Sequence, residues 1–123
     1  MVPIPFHTID WSQQEAVTYP GESGVARWKS MNYSGLRIRV VEYSPGYQAD
    51  HWCSVGHILY CLKGELVSEL SDGSKHILKE GMSYQVGDNM SRHRSSTATG
   101  ATLFIVDGAF LSFKESKGVF GLQ

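Results

Sequence analysis

The sequence is short of cysteine, of long apolar runs and of charge of one sign, and each shortage removes a class of protein. Two cysteines in 123 residues do not make a disulfide framework. No apolar run approaches the length of a membrane span, so no membrane partner is expected. The stretch from Met1 to His7 has neither the basic start nor the apolar core of a secretory signal. These features make a reducing, cytoplasmic setting the expectation. The net charge is −1, from 11 basic and 12 acidic residues without a basic cluster, which speaks against a nucleic-acid partner. A convincing amphipathic helix is also missing. Apolar content of 41% and charged content of 19% describe an ordinary globular chain, long enough for one domain with its own core.

What is present is a series of short strands broken by turns. Leu36 to Tyr43 is the clearest, with Leu36, Ile38 and Val40 alternating with Arg37 and Arg39. Gly24 to Ser30 precedes it. Glu65 to Ser71 and Lys75 to Lys79 read as a hairpin around Asp72-Gly73, a pair suited to a type I′ turn. Met82 to Val86, Arg92 to Ser96 and Ala101 to Val106 follow, the last as a buried strand. Many short strands at regular spacing predict an all-β sandwich or barrel. Residues 1–33 read as an N-terminal arm and first strand, 34–107 as the core, and 108–123 as a tail. In the arm, Ser12 is placed to cap one helical turn, and Trp11 to pack against the outside of the domain. In the tail, Phe110, Phe113 and Phe120 are costly to leave in water. They predict docking on the barrel or on a second copy; Trp52, the apolar strands and this tail together supply surface for a homodimer, the commonest assembly.

The chemistry concentrates between Asp50 and Gly64. His51, Cys53 and His57 are all odd-numbered, so extended chain places them on one face. Imidazole and thiolate are strong ligands for transition metals. A straight strand would leave Cys53 and His57 roughly 13 Å apart, and a helix would turn His51 away from Cys53. The chain must therefore fold back at Ser54-Val55-Gly56, with Gly56 tolerating an unusual backbone. Two strands joined by a tight turn are the expected geometry. Cys61 reads as core and Trp52 as packing outside the site. Asp50 reads as a turn residue or as a carboxylate orienting an imidazole. His7 and His76 read as surface.

A further histidine, His93, follows about thirty residues later, and here the layout resembles the cupins. Their first motif runs glycine, a few residues, H-x-H, three or four residues, glutamate, six residues, glycine. This chain has Gly46, four residues, His51-Trp52-Cys53, three residues, His57, six residues, Gly64. Their second motif runs glycine, five residues, P-x-G, two residues, histidine. Here Gly81, five residues and Gly87-Asp88-Asn89 lead to His93, one residue late. Cys53 stands in place of the second histidine and His57 in place of the glutamate. Gly87 and Asn89 replace the proline and glycine. Within the cupins, Asp50-His51-Trp52-Cys53 resembles the small single-domain group named for a DHCW motif, with the order changed. The resemblance implies a cupin-type double-stranded β-barrel (jelly roll). It also implies a mononuclear divalent transition metal, zinc, iron or nickel, held by His51, Cys53, His57 and His93.

The chemistry implied divides on Cys53. With its thiolate bound, zinc would be closed and tetrahedral, the structural pattern, whereas iron or nickel would keep open positions. With Cys53 unbound, the three histidines resemble the iron(II) face of the thiol dioxygenases. Loss of the carboxylate leaves the site more positive, favouring an anionic co-ligand over magnesium or manganese. Tyr43, Tyr47, Tyr84, Arg37 and Arg39 are candidates for a polar pocket lining, beside the plainer reading of packing and rim charge. The functional expectation is a small-molecule-binding metalloprotein, an oxygenase-like enzyme in its sharper form. A non-catalytic sensing module and a structural zinc site in an interaction protein are the alternatives.

Overall fold

The computed structural model of the chain describes residues 3–112. It contains eight strands: β1 Val17–Pro20, β2 Val25–Tyr33, β3 Leu36–Tyr43, β4 His57–Leu70, β5 Lys75–Lys79, β6 Ser83–Val86, β7 His93–Ser96 and β8 Ala101–Gly108. Short 3₁₀ turns lie at Trp11–Gln13 and Ala109–Leu111. All strand pairs are antiparallel. One sheet runs β1-β2-β3-β8 and continues through the first half of β4 to β6. The second half of β4 lies between β5 and β7. β4 thus belongs to both sheets and closes them on one another, giving the expected all-β jelly-roll barrel. Among the described residues no helix is long and apolar enough to cross a membrane.

The sheet change in β4 falls at Gly64. The pairing with β8 shifts register between Cys61 and Lys63, and Gly64 takes φ +79 with Gly100 O pressed against the place of a side chain. Such a bulge with a left-handed glycine bends a strand. Gly64, which closes the stretch from Asp50 and precedes the predicted strand from Glu65, is therefore a corner within one strand. The hairpin that follows is not type I′, because only Gly73 has positive φ. Gly73 N–H donates to Leu70 O and Leu70 N–H to Ser74 O. That is a three-residue loop ending in a left-handed glycine, braced by Asp72 accepting from Ser74 N–H at 2.8 Å.

The barrel interior takes the odd-numbered residues of β3 and β8. Val41, Leu59, Cys61, Leu66, Leu103 and Ile105 form the packed core, so Cys61 is core as read. Arg37 and Arg39 also face inward, towards Asp107. Leu36 and Ile38 lie outside, in a groove lined by the arm residues Ile4, Ile9 and Trp11. Trp11 meets Phe104 edge-on at 6.3 Å. The arm's helical turn is capped by Asp10, whose carboxylate accepts from Ser12 N–H, so the turn begins ahead of Ser12. The arm also contributes an edge strand, β1, that its scattered apolar residues do not announce. The tail residues Phe113 and Phe120 lie outside the described residues.

Candidate metal centre

Cys53, His57 and His93 converge, each offering one donor atom within 4.8 Å of the others. They arrive by separate routes. Cys53 and His93 face each other as a backbone pair: Cys53 N–H donates to His93 O at 2.7 Å, and His93 N–H to Cys53 O at 3.0 Å. Residues so paired present their side chains on the same face. His57 opens β4 in the other sheet. The segment Ser54-Val55-Gly56 is therefore a crossing between sheets, not the turn of a hairpin. Gly56 is required there by crowding. Its φ is not positive, but a Cβ would meet Val86 O at 2.6 Å and Asp88 N at 2.7 Å. Asp88 anchors the crossing by accepting from Gly56 N–H at 2.6 Å, and Asn89 N–H donates to Ser54 O. Asn89 itself takes φ 60, keeping the left-handed turn with a side chain that tolerates it.

His51 stands apart from the three. Bends at Asp50 and His51 interrupt the extended chain, so the odd-number parity that grouped His51 with Cys53 does not hold. Its side chain is 75% exposed, and its Nδ1 donates to Asp50 at 2.6 Å. It lines the wall of the cavity without meeting the cluster. Neither the four-ligand set with His51 nor the three-histidine face is assembled.

Asp107, unnoticed in the sequence, organises the site from behind. It ends β8 on the inward parity of Leu103 and Ile105. Its carboxylate accepts from Arg37 Nε at 2.8 Å and from Arg39 Nη2 at 3.1 Å. His57 Nδ1 lies 3.4 Å away, at ion-pair distance but off good hydrogen-bond geometry. Burial alone would raise the Asp107 pKa; His57 and the two guanidinium groups outweigh it and hold the carboxylate at about 2. His57 Nε2 lies 3.9 Å from Cys53 Sγ. The neighbouring imidazoles, His57 first and then His93, overcome burial and bring the Cys53 thiol down to about 5, so Cys53 is a thiolate at neutral pH. Burial disfavours charge on His57, yet Asp107 and Cys53 carry its pKa above the usual histidine value.

The donor set fits a metal ion. His93 Nδ1 donates to Ser91 O at 3.0 Å, which leaves Nε2 as the lone-pair nitrogen. That atom is buried without a partner, and such a polar atom needs an explanation. A hydrogen bond on the far nitrogen is the usual arrangement behind a metal-ligating imidazole. Around a tetrahedral zinc ion a thiolate and two imidazole nitrogens stand about 3.4–3.6 Å apart, so donor atoms now within 4.8 Å of one another complete the shell by side-chain movements of up to about 1 Å.

The cluster opens on a cavity of about 280 Å³ whose wall includes Trp28, Arg37, Arg39, Tyr43, Tyr47 and Tyr84. All of the sequence candidates for a pocket lining thus reach this wall. Tyr43 and Tyr47 stack at 4.2 Å. Burial pushes the phenols of Tyr43, Tyr47 and Tyr84 up, so they are neutral at neutral pH and serve as donors. Trp52 packs outside, under the guanidinium of Arg94 at 4.5 Å.

No family model matches the sequence, and no curated protein matches it. Solved structures do. A predicted oxalate decarboxylase from Thermotoga maritima matches with TM-score 0.70 at 15% identity, over 83% of this chain and 98% of its own. An RmlC-like cupin from Shewanella frigidimarina matches with TM-score 0.63 at 20% identity, over 85% and 91%. A sugar phosphate isomerase of the cupin superfamily from Silicibacter pomeroyi matches with TM-score 0.64 at 16% identity, over 83% and 75%. The fold is that of the cupins.

Proposed function

We propose that the protein is a mononuclear metalloprotein in which Cys53, His57 and His93 hold one divalent transition ion facing a small-molecule pocket. The observation that carries this reading is His93 Nε2, buried, unpartnered and aimed at a thiolate and a second imidazole. Three protein ligands leave a coordination position open, the pattern of reactive rather than structural zinc, and iron or nickel would leave more. The displacement of His51 from the cluster disfavours the closed structural zinc site. When bound, the ion supplies Lewis acidity or a redox centre. The chain's own residues do the rest. Ser91 O orients the His93 imidazole, the Asp107 carboxylate stands behind His57 as its charge partner, and the tyrosines offer neutral donors.

Within this reading the sharper form is an oxygenase-like enzyme on a small organic molecule. A non-catalytic sensing module is the alternative, favoured by the scarcity of a free general base: Asp107 is committed to two arginines. Self-association remains an expectation; Ile58, Tyr60 and Leu62 stand exposed along β4, and light scattering at micromolar concentration reads it directly. Elemental analysis of protein purified without added metal tests the central claim. One equivalent of zinc, iron or nickel is expected, and metal-free protein that also fails to take up zinc on titration would refute it.

A further inference from the structure

Two arginines share one carboxylate in the pocket wall. Among the described residues Asp107 is the carboxylate that meets Arg37 and Arg39, and Arg94 is matched separately by Glu69 at 2.9 Å. Arg39 keeps only 6% of its side chain exposed. Both guanidinium groups lie over the ring of Trp28, at 5.2 Å for Arg37 and 4.2 Å for Arg39, which holds them in place. The two guanidinium groups thus outnumber the carboxylate they share by one, and buried charge that is only partly matched is costly. An ion on a single thiolate adds more charge of the same sign.

We infer that Arg37 and Arg39 form the subsite for the carboxylate of a small monocarboxylic acid, with its apolar body against the stacked pair Tyr43 and Tyr47. This deepens the reading of the pocket given above and rests on it. The planar guanidinium groups suit a planar carboxylate, and the apolar body of such an acid suits the aromatic wall better than an all-polar phosphate does. The cavity of about 280 Å³ has room for a small organic acid such as benzoate.

Calorimetric titration of the full chain, zinc-loaded and chelator-treated, tests this with benzoate, benzamide and inorganic phosphate as probes. Benzoate is expected to bind at least about tenfold tighter than its neutral amide, and tighter than phosphate. Arg37→Gln should erase that preference and Arg37→Lys should restore part of it. Arg37 is one-third exposed, so these variants are expected to fold. Asp107→Asn, which removes the competing carboxylate, should raise benzoate affinity in the metal-free form, a gain that misfolding cannot imitate. Equal affinity for benzoate and benzamide, tighter phosphate, or a preference that survives Arg37→Gln overturns the subsite. Elemental analysis of the same samples separates the two readings. Arg37-dependent benzoate binding by protein that takes up no metal keeps the subsite and removes the metal centre. Metal-loaded protein without a carboxylate preference does the reverse.

Discussion

A side chain's role here depends on what lies behind it as much as on what it faces. His93 presents Nε2 to the cluster because Ser91 O takes the proton on Nδ1. Losing the supporting group of a metal ligand costs about 10–100-fold in metal affinity, so losing the ligand itself should cost more. His93→Ala is expected to abolish metal retention, and Asp107→Asn to weaken it by about 10–100-fold; competition with a chelator reads both. The thiol gives a second check. In metal-free protein Cys53 should lose its proton as pH rises through about 5, seen as growing thiolate absorbance. The signal should vanish in Cys53→Ser, since burial pushes the Cys61 thiol up. Metal affinity should fall as pH drops, first as His57, whose pKa lies above the usual histidine value, takes a proton, and further as protons compete for the thiolate. Cys53, His57 and His93 were legible as residue types at suggestive spacing. His51 misled because parity holds only in regular strand, and two bends intervene. Asp107 went unseen because nothing local marks a lone acid at the end of an apolar strand. Its meaning comes from Arg37 and Arg39, about seventy positions away.

At the scale of elements, the strands were legible from alternation and turn residues, while the side of each strand that faces the interior was not. β3 alternates aliphatic with basic residues, and the usual pattern would bury the aliphatic face. The barrel buries the arginines because Asp107 opposes them across the β3–β8 pair, Arg37 standing directly opposite Asp107. The aliphatic face is served instead by the arm. β4 was legible in two halves because Gly64 interrupts its pattern, yet the interruption lets one strand serve two sheets. Gly46 and Gly64 separate the two uses of glycine. Both have φ +79, but Gly46 has open space where a Cβ would stand, and Gly64 meets Gly100. Gly46→Ala should cost about 1–2 kcal/mol, the left-handed penalty alone. Gly64→Ala should cost distinctly more, because the corner must also move. Denaturant midpoints of the two variants measure the difference.

For the whole molecule, the charged group at the barrel's heart ties folding to acid. Asp107 ionises at about 2 in the folded chain against 3.8 as a free side chain. Its folded pKa is depressed, so its contribution is complete above pH 4 and is lost as pH falls from there through 2. The full shift corresponds to about 2 kcal/mol at most, a sizeable part of the stability of a chain this long. Stability should therefore fall across that window, and Asp107→Asn should reduce this slope to what Asp10, Asp72 and Asp88, whose pKa values are also lowered by hydrogen bonds, contribute. The same variant should be destabilised at neutral pH by about 3–5 kcal/mol, since it leaves two arginines without their carboxylate. The gap between wild type and variant should narrow in acid, where protonation removes that charge from wild type as well. Urea unfolding of both proteins at neutral pH and at pH 2–3 reads this directly. A constant gap would mean that the loss came from packing around Asp107, and the coupling between the buried charges and the closed barrel would then have to be given up.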